Sequence, residues 1–213
     1  MNTIYDGLLF DVDGTIWDST PVVEKAWNAA LADSGHGDVS ITADRLKGLF
    51  GLPMVDIIED ILPESTPEEK EFFLPLCSRY EFEYLEKESG VVYEGLEDAL
   101  RTLSGSGIPL FIVSNCQSGY IELMYRKTGF GNYFQDQLCP GDTGKLKADN
   151  ILIMAQRHKL KRPAYIGDTA MDMEACRKAG VPFIYAAYGF GRVTGPDGII
   201  KDPRDLIALA EGR

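Results

Sequence analysis

The apolar residues of this chain fall into short continuous runs, separated by longer segments with helical spacing. Leu8, Leu9 and Phe10, flanked by Ile4 and Val12, form the first such run. Continuous runs of this length favour strands that are buried on both faces of a parallel sheet. Similar runs predict further strands at residues 108–113, 137–139, 164–166 and 181–187. Segments with helical spacing lie between them, so the pattern predicts an α/β fold with a doubly wound parallel sheet.

One long segment interrupts this alternation directly after the first strand. From residue 17 to residue 89 the apolar positions recur at helical spacing, and Pro21 and Pro67 each stand in a predicted first turn. We therefore expect residues 17–89 to form a small all-helical cap, and residues 1–16 and 90–213 to form the core. A cap inserted at this position would cover the end of the first strand, exclude water and supply specificity contacts.

The longest predicted helix of the cap begins at Pro67 and is strongly acidic. Its polar positions predict a solvated face, formed by Glu68, Glu69, Glu71, Glu81, Glu83, Glu86 and Glu88. Its apolar positions predict a buried stripe, formed by Phe72, Phe73, Leu76, Tyr80, Tyr84 and Leu85. We interpret these glutamates as surface charge rather than as a binding site.

Composition narrows the classes of function. A net charge of −12 over 213 residues argues against nucleic acid and anionic membrane surfaces as partners. The four cysteines lack CxxC spacing, which argues against a zinc site and favours a reducing cytoplasm. No apolar stretch approaches the roughly 20 residues that span a bilayer, and no signal peptide is evident. We expect a cytoplasmic monomer or weak homodimer that acts on a small molecule.

Polar side chains cluster where the predicted strands end. Because parallel strands present their carboxyl ends at one edge of the sheet, seven residues are expected to share a site. They are Asp11, Asp13, Ser114, Asn115, Lys147, Asp168 and Asp172. Two acids as close as Asp11 and Asp13 repel each other, and a hard cation such as Mg²⁺ suits their oxygens. Carboxylates, a hydroxyl, an amide and a lysine together suit phosphoryl transfer.

These residues also have purely structural interpretations, which the sequence leaves open. Asp11 and Asp13 could end the strand in an Asx turn, and Ser114 could cap the helix that follows it. Lys147 could be a surface lysine at a helix start, where a cation is mildly unfavourable. Lys145 competes with Lys147 for the same role in the site.

The motifs resemble those of the haloacid dehalogenase (HAD) superfamily, in the phosphoglycolate-phosphatase-like branch that has a helical cap after the first motif. Asp11-Val12-Asp13-Gly14-Thr15 matches the first family motif, DxDGT, and Ser114 matches the second. Gly167-Asp168-Thr169-Ala170-Met171-Asp172 matches the fourth. Lys147 matches the third more loosely, because Ala148 stands where the family usually has proline. The resemblance covers essentially the whole chain and implies a Rossmann-like core with a C1 cap.

The resemblance implies catalytic roles for several of these residues. Asp11 would be the nucleophile and would form an aspartyl-phosphate. Asp13 would protonate the leaving alcohol and would then deprotonate the water that breaks the intermediate. Ser114, helped by Asn115, would hold a phosphate oxygen, and Lys147 would neutralise phosphate charge.

The resemblance also implies a metal site for Mg²⁺. The ion would lie between Asp11, the backbone carbonyl of Asp13 and Asp168. Asp172 would be an acid of the outer coordination sphere that positions Lys147 or a metal-bound water.

The resulting hypothesis is a Mg²⁺-dependent phosphatase that hydrolyses a small phosphorylated metabolite, either phosphoglycolate-like or a sugar phosphate. Asp13 argues against dehalogenases and phosphonate hydrolases, which lack an acid at that position. A phosphosugar mutase is one alternative, since Arg45-Leu46-Lys47-Gly48 resembles the cap loop of β-phosphoglucomutases. Val23, however, stands where those enzymes carry a histidine. A catalytically silent regulatory module that binds metal and phosphate is the second alternative.

Cap residues are candidates for substrate selection. Trp17, Ser19 and Phe50 lie in or near the segments that we expect to close over the site. Arg45 and Lys47 could bind a second anionic group of the substrate, such as the carboxylate of glycolate, or could be solvated surface charges.

Overall fold

The computed structural model describes residues 4–210. Its elements, in chain order, are β1 Gly7–Phe10, β2 Trp17–Asp18, α1 Thr20–Asp33, α2 Ala43–Leu49, α3 Met54–Ile61, α4 Pro67–Lys87, β3 Val91–Val92, α5 Leu96–Gly105, β4 Leu110–Val113, α6 Tyr120–Thr128, a 3-10 turn Phe130–Tyr133, β5 Phe134–Leu138, α7 Pro140–Thr143, α8 Lys147–Arg157, β6 Pro163–Gly167, α9 Ala170–Ala179, β7 Phe183–Ala186, β8 Gly198–Ile200 and α10 Asp205–Ala210. None of the helices in this range combines the length and the apolar character that crossing a bilayer requires.

A six-stranded sheet with the order β5-β4-β1-β6-β7-β8 forms the centre of the fold, and its neighbouring strands all run parallel. Strand β1 is an inner strand, in which Leu8 pairs with Leu110 on one side and Ala164 on the other. Every residue of β1 and of β4 is buried, because helices cover both faces of a doubly wound sheet. The predicted α/β fold with a doubly wound parallel sheet is confirmed.

The hydrophobic pattern missed three short strands. Strands β2 and β3 pair antiparallel through Trp17–Val92 and Asp18–Val91, at the two points where the helical segment leaves and rejoins the core. Strand β8 lies at the edge of the main sheet beside β7. Strands of two or three residues are too short to show a period of two, so only tertiary pairing reveals them.

Helices α1 to α4 follow one another between β2 and β3. Helix α1 buries the face that the helical spacing predicts, with Val22, Val23, Ala26, Trp27, Ala30 and Leu31 all in the core. This face packs against α4. Helix α4 begins with Thr66, whose hydroxyl accepts a hydrogen bond from the amide of Glu69, and with Pro67 in its first turn.

The buried face of α4 differs from the predicted stripe. Its buried residues form a single row with a spacing of four, namely Phe73, Cys77, Glu81 and Leu85. Phe72 is 65% exposed, whereas Glu81, which we expected on the solvated face, is only 3% exposed. Adjacent Phe72 and Phe73 allow two orientations of the helix, and packing on α1 selects the one that buries a glutamate.

Candidate active site

The carboxyl ends of three adjacent strands bring the predicted site residues together. Asp11 follows β1 directly, Ser114 follows β4, and Asp168 follows β6, and these strands are neighbours in the sheet. Asp172 lies in the first turn of α9, just after β6. All four side chains are buried. The edge of the sheet therefore gathers acids and a hydroxyl that are far apart in sequence.

Lys147 supplies the positive charge of this cluster. Its Nζ lies 2.9 Å from Asp11 Oδ1 and 2.6 Å from Asp172 Oδ1, and its side chain is buried. Burial by itself lowers the pKa of Lys147, but the two carboxylates outweigh it and raise the pKa. Lys145 is exposed. Of the two competing lysines, the structure places Lys147 in the carboxylate cluster.

Three buried carboxylates form a potential metal centre. Asp11, Asp168 and Asp172 each offer an oxygen, and these oxygens lie within 4.8 Å of one another. Burial, together with repulsion between the acids, raises the pKa of Asp11 to about 6 and also raises the pKa of Asp168. One lysine cannot balance three buried acids. The cluster thus fits a hard divalent cation, which prefers oxygen ligands and would offset the excess negative charge.

Hydrogen bonds fix the orientation of two of these acids. Asp172 Oδ2 accepts hydrogen bonds from the amide and the hydroxyl of Thr169, at 2.9 and 2.7 Å, while its Oδ1 faces Lys147. Asp168 Oδ2 accepts a 2.8 Å hydrogen bond from the amide of Phe190. Gly14 has a φ of +81°, and a Cβ there would lie 2.2 Å from Asp168 Oδ2. The glycine of the first motif therefore lets the chain turn tightly against Asp168.

Asp13 lies beside the cluster and has its own hydrogen-bond partners. Its Oδ1 accepts hydrogen bonds from Ser19 Oγ at 2.6 Å and from Tyr120 OH at 2.7 Å. Tyr120 OH also lies 2.9 Å from Ser19 Oγ. Burial raises the pKa of Asp13 to about 7, although the two hydroxyls favour the ionised form. A carboxyl group with this pKa is suited to giving and taking a proton near neutral pH.

The carboxylate of Asp13 is not part of the three-acid group. The family resemblance implies that Asp13 binds the metal only through its backbone carbonyl, so its carboxylate is free for a separate role. Tyr120 was not foreseen from the sequence. Tyr120 follows Gly119 directly at the start of α6, one loop beyond Ser114, and this position could have indicated that it lies near the site.

Ser114 and Asn115 occupy different positions in the site. Ser114 is 5% exposed and lines a cavity together with Asp11 and Asp13. Asn115 lines the same cavity, but its amide is engaged at both ends: Nδ2 donates to the Gly51 carbonyl at 2.9 Å, and Oδ1 accepts from the Lys147 amide at 3.0 Å. Asn115 thus links a loop of the helical segment to the start of α8.

The cavity above Asp11 is small, with a volume of about 40 Å³. Its walls come from the strand ends and from the helical segment, which contributes Trp27, Phe50 and Glu81. Glu81 Oε2 accepts a 2.9 Å hydrogen bond from Trp27 Nε1. Neither Trp27 nor Glu81 was among the site residues predicted from the sequence, because both stand in ordinary helical patterns.

The other predicted cap residues have varied positions. Arg45 is exposed, and its Nη2 donates to Asp60 Oδ1 at 2.7 Å, on the surface of the helical segment and outside the cavity lining. Lys47 Nζ lies 3.3 Å from Asp18 Oδ2, also outside that lining. Phe50 lines the cavity, whereas Trp17 is fully buried and packs edge-on against Tyr120. Of the two cations considered for a second anionic group, neither lines the cavity.

Comparisons with known proteins agree with this architecture. The sequence profile of the family described as haloacid dehalogenase-like hydrolase matches residues 8–186. The chain is 28% identical, over 86% of its length and 84% of the relative, to a phosphoglycolate phosphatase of Rhodobacter capsulatus. It is 27% identical, over 97% of its length and 94% of the relative, to a phosphoglycolate phosphatase of Escherichia coli strain K12.

Solved structures share the fold. The crystal structure of a predicted phosphoglycolate phosphatase from Haemophilus somnus superposes with a TM-score of 0.86 at 20% identity, over 98% of this chain and 99% of that one. The structure of a haloacid dehalogenase-like hydrolase from Bacteroides fragilis superposes with a TM-score of 0.84 at 22% identity, over 95% and 100% of the two chains.

Proposed function

The chain belongs to the haloacid dehalogenase-like hydrolases, in the phosphoglycolate-phosphatase-like branch, and we propose that it is a Mg²⁺-dependent phosphatase that uses Asp11 as its nucleophile. Its family and its phosphatase relatives identify it as a phosphoric monoester hydrolase. The substrate is a small phosphorylated metabolite. The relatives favour hydrolysis over the mutase and the silent regulatory module that the sequence left open.

One observation carries the proposal: a buried lysine lies between two acids at the strand ends. Lys147 Nζ is 2.9 Å from Asp11 Oδ1, so the ammonium favours the ionised form of the nucleophile. The lysine also remains close to the phosphoryl group that Asp11 attacks. An Asp11 oxygen forms a bond to phosphorus while the bond from phosphorus to the leaving oxygen breaks. Ser114 binds a phosphoryl oxygen.

Asp13 is the general acid and then the general base. The leaving oxygen takes the proton of Asp13, and the same carboxylate then removes a proton from the water that attacks the aspartyl-phosphate. Ser19 and Tyr120 both donate to Oδ1. These two donors position the carboxyl group and leave Oδ2 for proton transfer.

Asp11 and Asp168 would bind Mg²⁺ directly, together with the carbonyl of Asp13. Both oxygens of Asp172 are engaged, by Lys147 and by Thr169, so Asp172 acts through these neighbours. When bound, the ion neutralises phosphate charge and orients the phosphoryl group.

The proposal assigns residues 17–89 to a cap and residues 1–16 and 90–213 to the catalytic core. The antiparallel pair β2–β3 lies at both crossings between these parts. The four cysteines are free thiols, which is in keeping with a reducing cytoplasm.

The test is release of inorganic phosphate from small phosphomonoesters, with Mg²⁺ and with a chelator in its place. We expect turnover only with the metal, and a phosphoryl group on the peptide that contains Asp11 when the reaction is quenched in acid. Transfer of phosphate to a second sugar without free phosphate would indicate the mutase. Absence of both reactions, with the fold intact, would indicate the regulatory module and contradict the proposal.

A further inference from the structure

Glu81 is a buried acid that the proposed chemistry does not use. It lies on α4, is 3% exposed, and lines the cavity that also contains Asp11 and Asp13. Its Oε2 accepts a hydrogen bond from Trp27 Nε1 at 2.9 Å. Burial raises the pKa of Glu81 to about 8, against the effect of this hydrogen bond. An acid kept at this depth in a substrate cavity calls for a ligand group that can pair with it.

Gln117 adds a donor to the same part of the cavity. Its Nε2 is buried and makes no hydrogen bond of normal geometry to any residue within 4–210. The side chain is nevertheless close enough to Glu81 to favour the ionised form of the glutamate. A carboxyl oxygen of Glu81 and the amide N–H of Gln117 therefore lie close together without a hydrogen bond of normal geometry. A hydroxyl group can donate to the first and accept from the second, whereas an ammonium only donates and a carboxylate only accepts.

The charges around the cavity disfavour a second anion on the substrate. Among the described residues that line it, Asp11, Asp13 and Glu81 are acids and none is a lysine or an arginine. Lys147 is held between Asp11 and Asp172, and Lys47 is paired with Asp18 outside the lining. A carboxylate on the leaving group would be buried beside acids without a cation of its own, which is strongly unfavourable.

We propose that Glu81 is a specificity-determining residue that selects phosphomonoesters whose leaving group carries a hydroxyl, and that the cavity discriminates against a leaving group that carries a carboxylate. This deepens the proposed function and rests on it. The substrate hydroxyl donates to Glu81 and accepts from Gln117 Nε2.

Four phosphate esters with a two-carbon leaving group test this selection. They are 2-hydroxyethyl phosphate, ethyl phosphate, O-phosphoethanolamine and 2-phosphoglycolate, which end in a hydroxyl, a methyl, an ammonium and a carboxylate. The measured quantity is kcat/KM for phosphate release in the presence of Mg²⁺. We expect the hydroxyl ester to exceed the methyl ester about 10-fold and the carboxylate ester about 100-fold.

Variants then attribute the preference to Glu81. Glu81→Gln keeps the size of the side chain and an acceptor for Trp27, but cannot ionise, so the esters are compared above pH 8, where Glu81 carries its charge. We expect the ratio of kcat/KM between the hydroxyl and carboxylate esters to fall about 10-fold in this variant. Glu83→Gln, on the exposed side of the same helix, is the matched control and should leave all four values unchanged. A merely structural role of Glu81 would lower the four values by the same factor.

The outcomes separate the selection from the hydrolysis itself. No release from any ester would contradict the proposed function, and the selection with it. Release with 2-phosphoglycolate or O-phosphoethanolamine preferred over the hydroxyl ester would overturn the selection alone. An unchanged ratio in a folded Glu81→Gln protein would do the same. If Glu81→Gln fails to fold, Gln117→Leu tests the selection in its place. Loss of the Gln117 donor should lower the ratio of kcat/KM between the hydroxyl ester and the methyl ester about 10-fold, and an unchanged ratio would overturn the selection.

Discussion

The two walls of the cavity are built in opposite ways. The wall formed by the core places Asp11, Asp13 and Ser114 after the ends of neighbouring strands, where the backbone of a parallel sheet directs them to one point. The wall formed by the helical segment consists of side chains from a helix–helix interface, among them Trp27 and Glu81. The first wall therefore follows from local motifs and sheet topology, and the second follows from how helices pack.

The difference shows how the chemistry and the choice of substrate can vary separately. In the core, a change in any acid disturbs the charge balance around Lys147. In the helical segment, a residue such as Glu81 can change with the packing of α1 on α4 while Asp11 and Asp13 stay in place.

The strongest test of the core wall is Asp11→Asn. Removing the nucleophilic oxygen should lower kcat by about 10⁴-fold or more and should spare the fold, because the amide has the same shape as the carboxyl group. Phosphate release and a thermal melt measure the two effects. Asp149→Asn, an exposed position on α8, is the control and should retain activity. Comparable turnover in the Asp11 variant would place the nucleophile elsewhere.

Lys147→Met probes the charge balance, with Lys145→Met as its matched control two residues away. Loss of the ammonium leaves Asp11 and Asp172 buried without their cation, so we expect kcat to fall about 10³-fold. Unfolding in a chelator should become about 3 kcal/mol easier. Denaturant titration and phosphate release check both effects. Lys145→Met should leave kcat and stability unchanged, because Lys145 is exposed. If Lys145→Met instead lowered kcat more than Lys147→Met, the lysine that balances the acids would be Lys145.

Tyr120→Phe tests the contact between the two walls, because Tyr120 OH donates to Asp13 Oδ1 and lies 2.9 Å from Ser19 Oγ. The variant keeps the ring against Trp17 and loses only the hydroxyl. Of the two hydroxyls that donate to Asp13 Oδ1, only that of Ser19 then remains. The carboxyl group is positioned less firmly, and we expect kcat to fall about 10-fold. The pH profile of kcat should shift to higher pH, since the lost hydrogen bond favours the ionised form of Asp13. An unchanged kcat and pH profile would limit Tyr120 to packing.

For the wall formed by the helical segment, a further expected effect is on stability and its dependence on pH. Because the pKa of Glu81 rises from 4.5 to about 8 on folding, the folded protein holds a proton that the unfolded chain releases between these values. Raising the pH through this window therefore destabilises the folded state. Glu81→Gln lacks this proton, so its stability relative to wild type should increase by about 1.4 kcal/mol for each pH unit between about pH 5 and about pH 8. Denaturant titrations at the two pH values measure it, and a constant difference would show that Glu81 keeps an ordinary pKa when folded.

Sequence patterns anticipated the core well because its residues obey short-range rules. Continuous apolar runs predicted all the central strands, and the polar residues that follow β1, β4 and β6 were identified from their place after a strand. The edge strand β8 and the pair β2–β3 were missed, since two or three residues show no period. Arg45 was considered for an anion site from its charge alone, and the structure pairs it with Asp60.

By itself, the sequence determined a parallel sheet with acids at its strand ends, because strand burial and motif spacing are local properties of the chain. Only the tertiary structure decided which face of α4 is buried, and hence that Glu81 enters the cavity beside Trp27. It also decided between Lys145 and Lys147 and brought Tyr120 to Asp13. These outcomes depend on which surfaces pack together, and a helical repeat of 3.6 residues leaves that choice open until the neighbouring helix is in place.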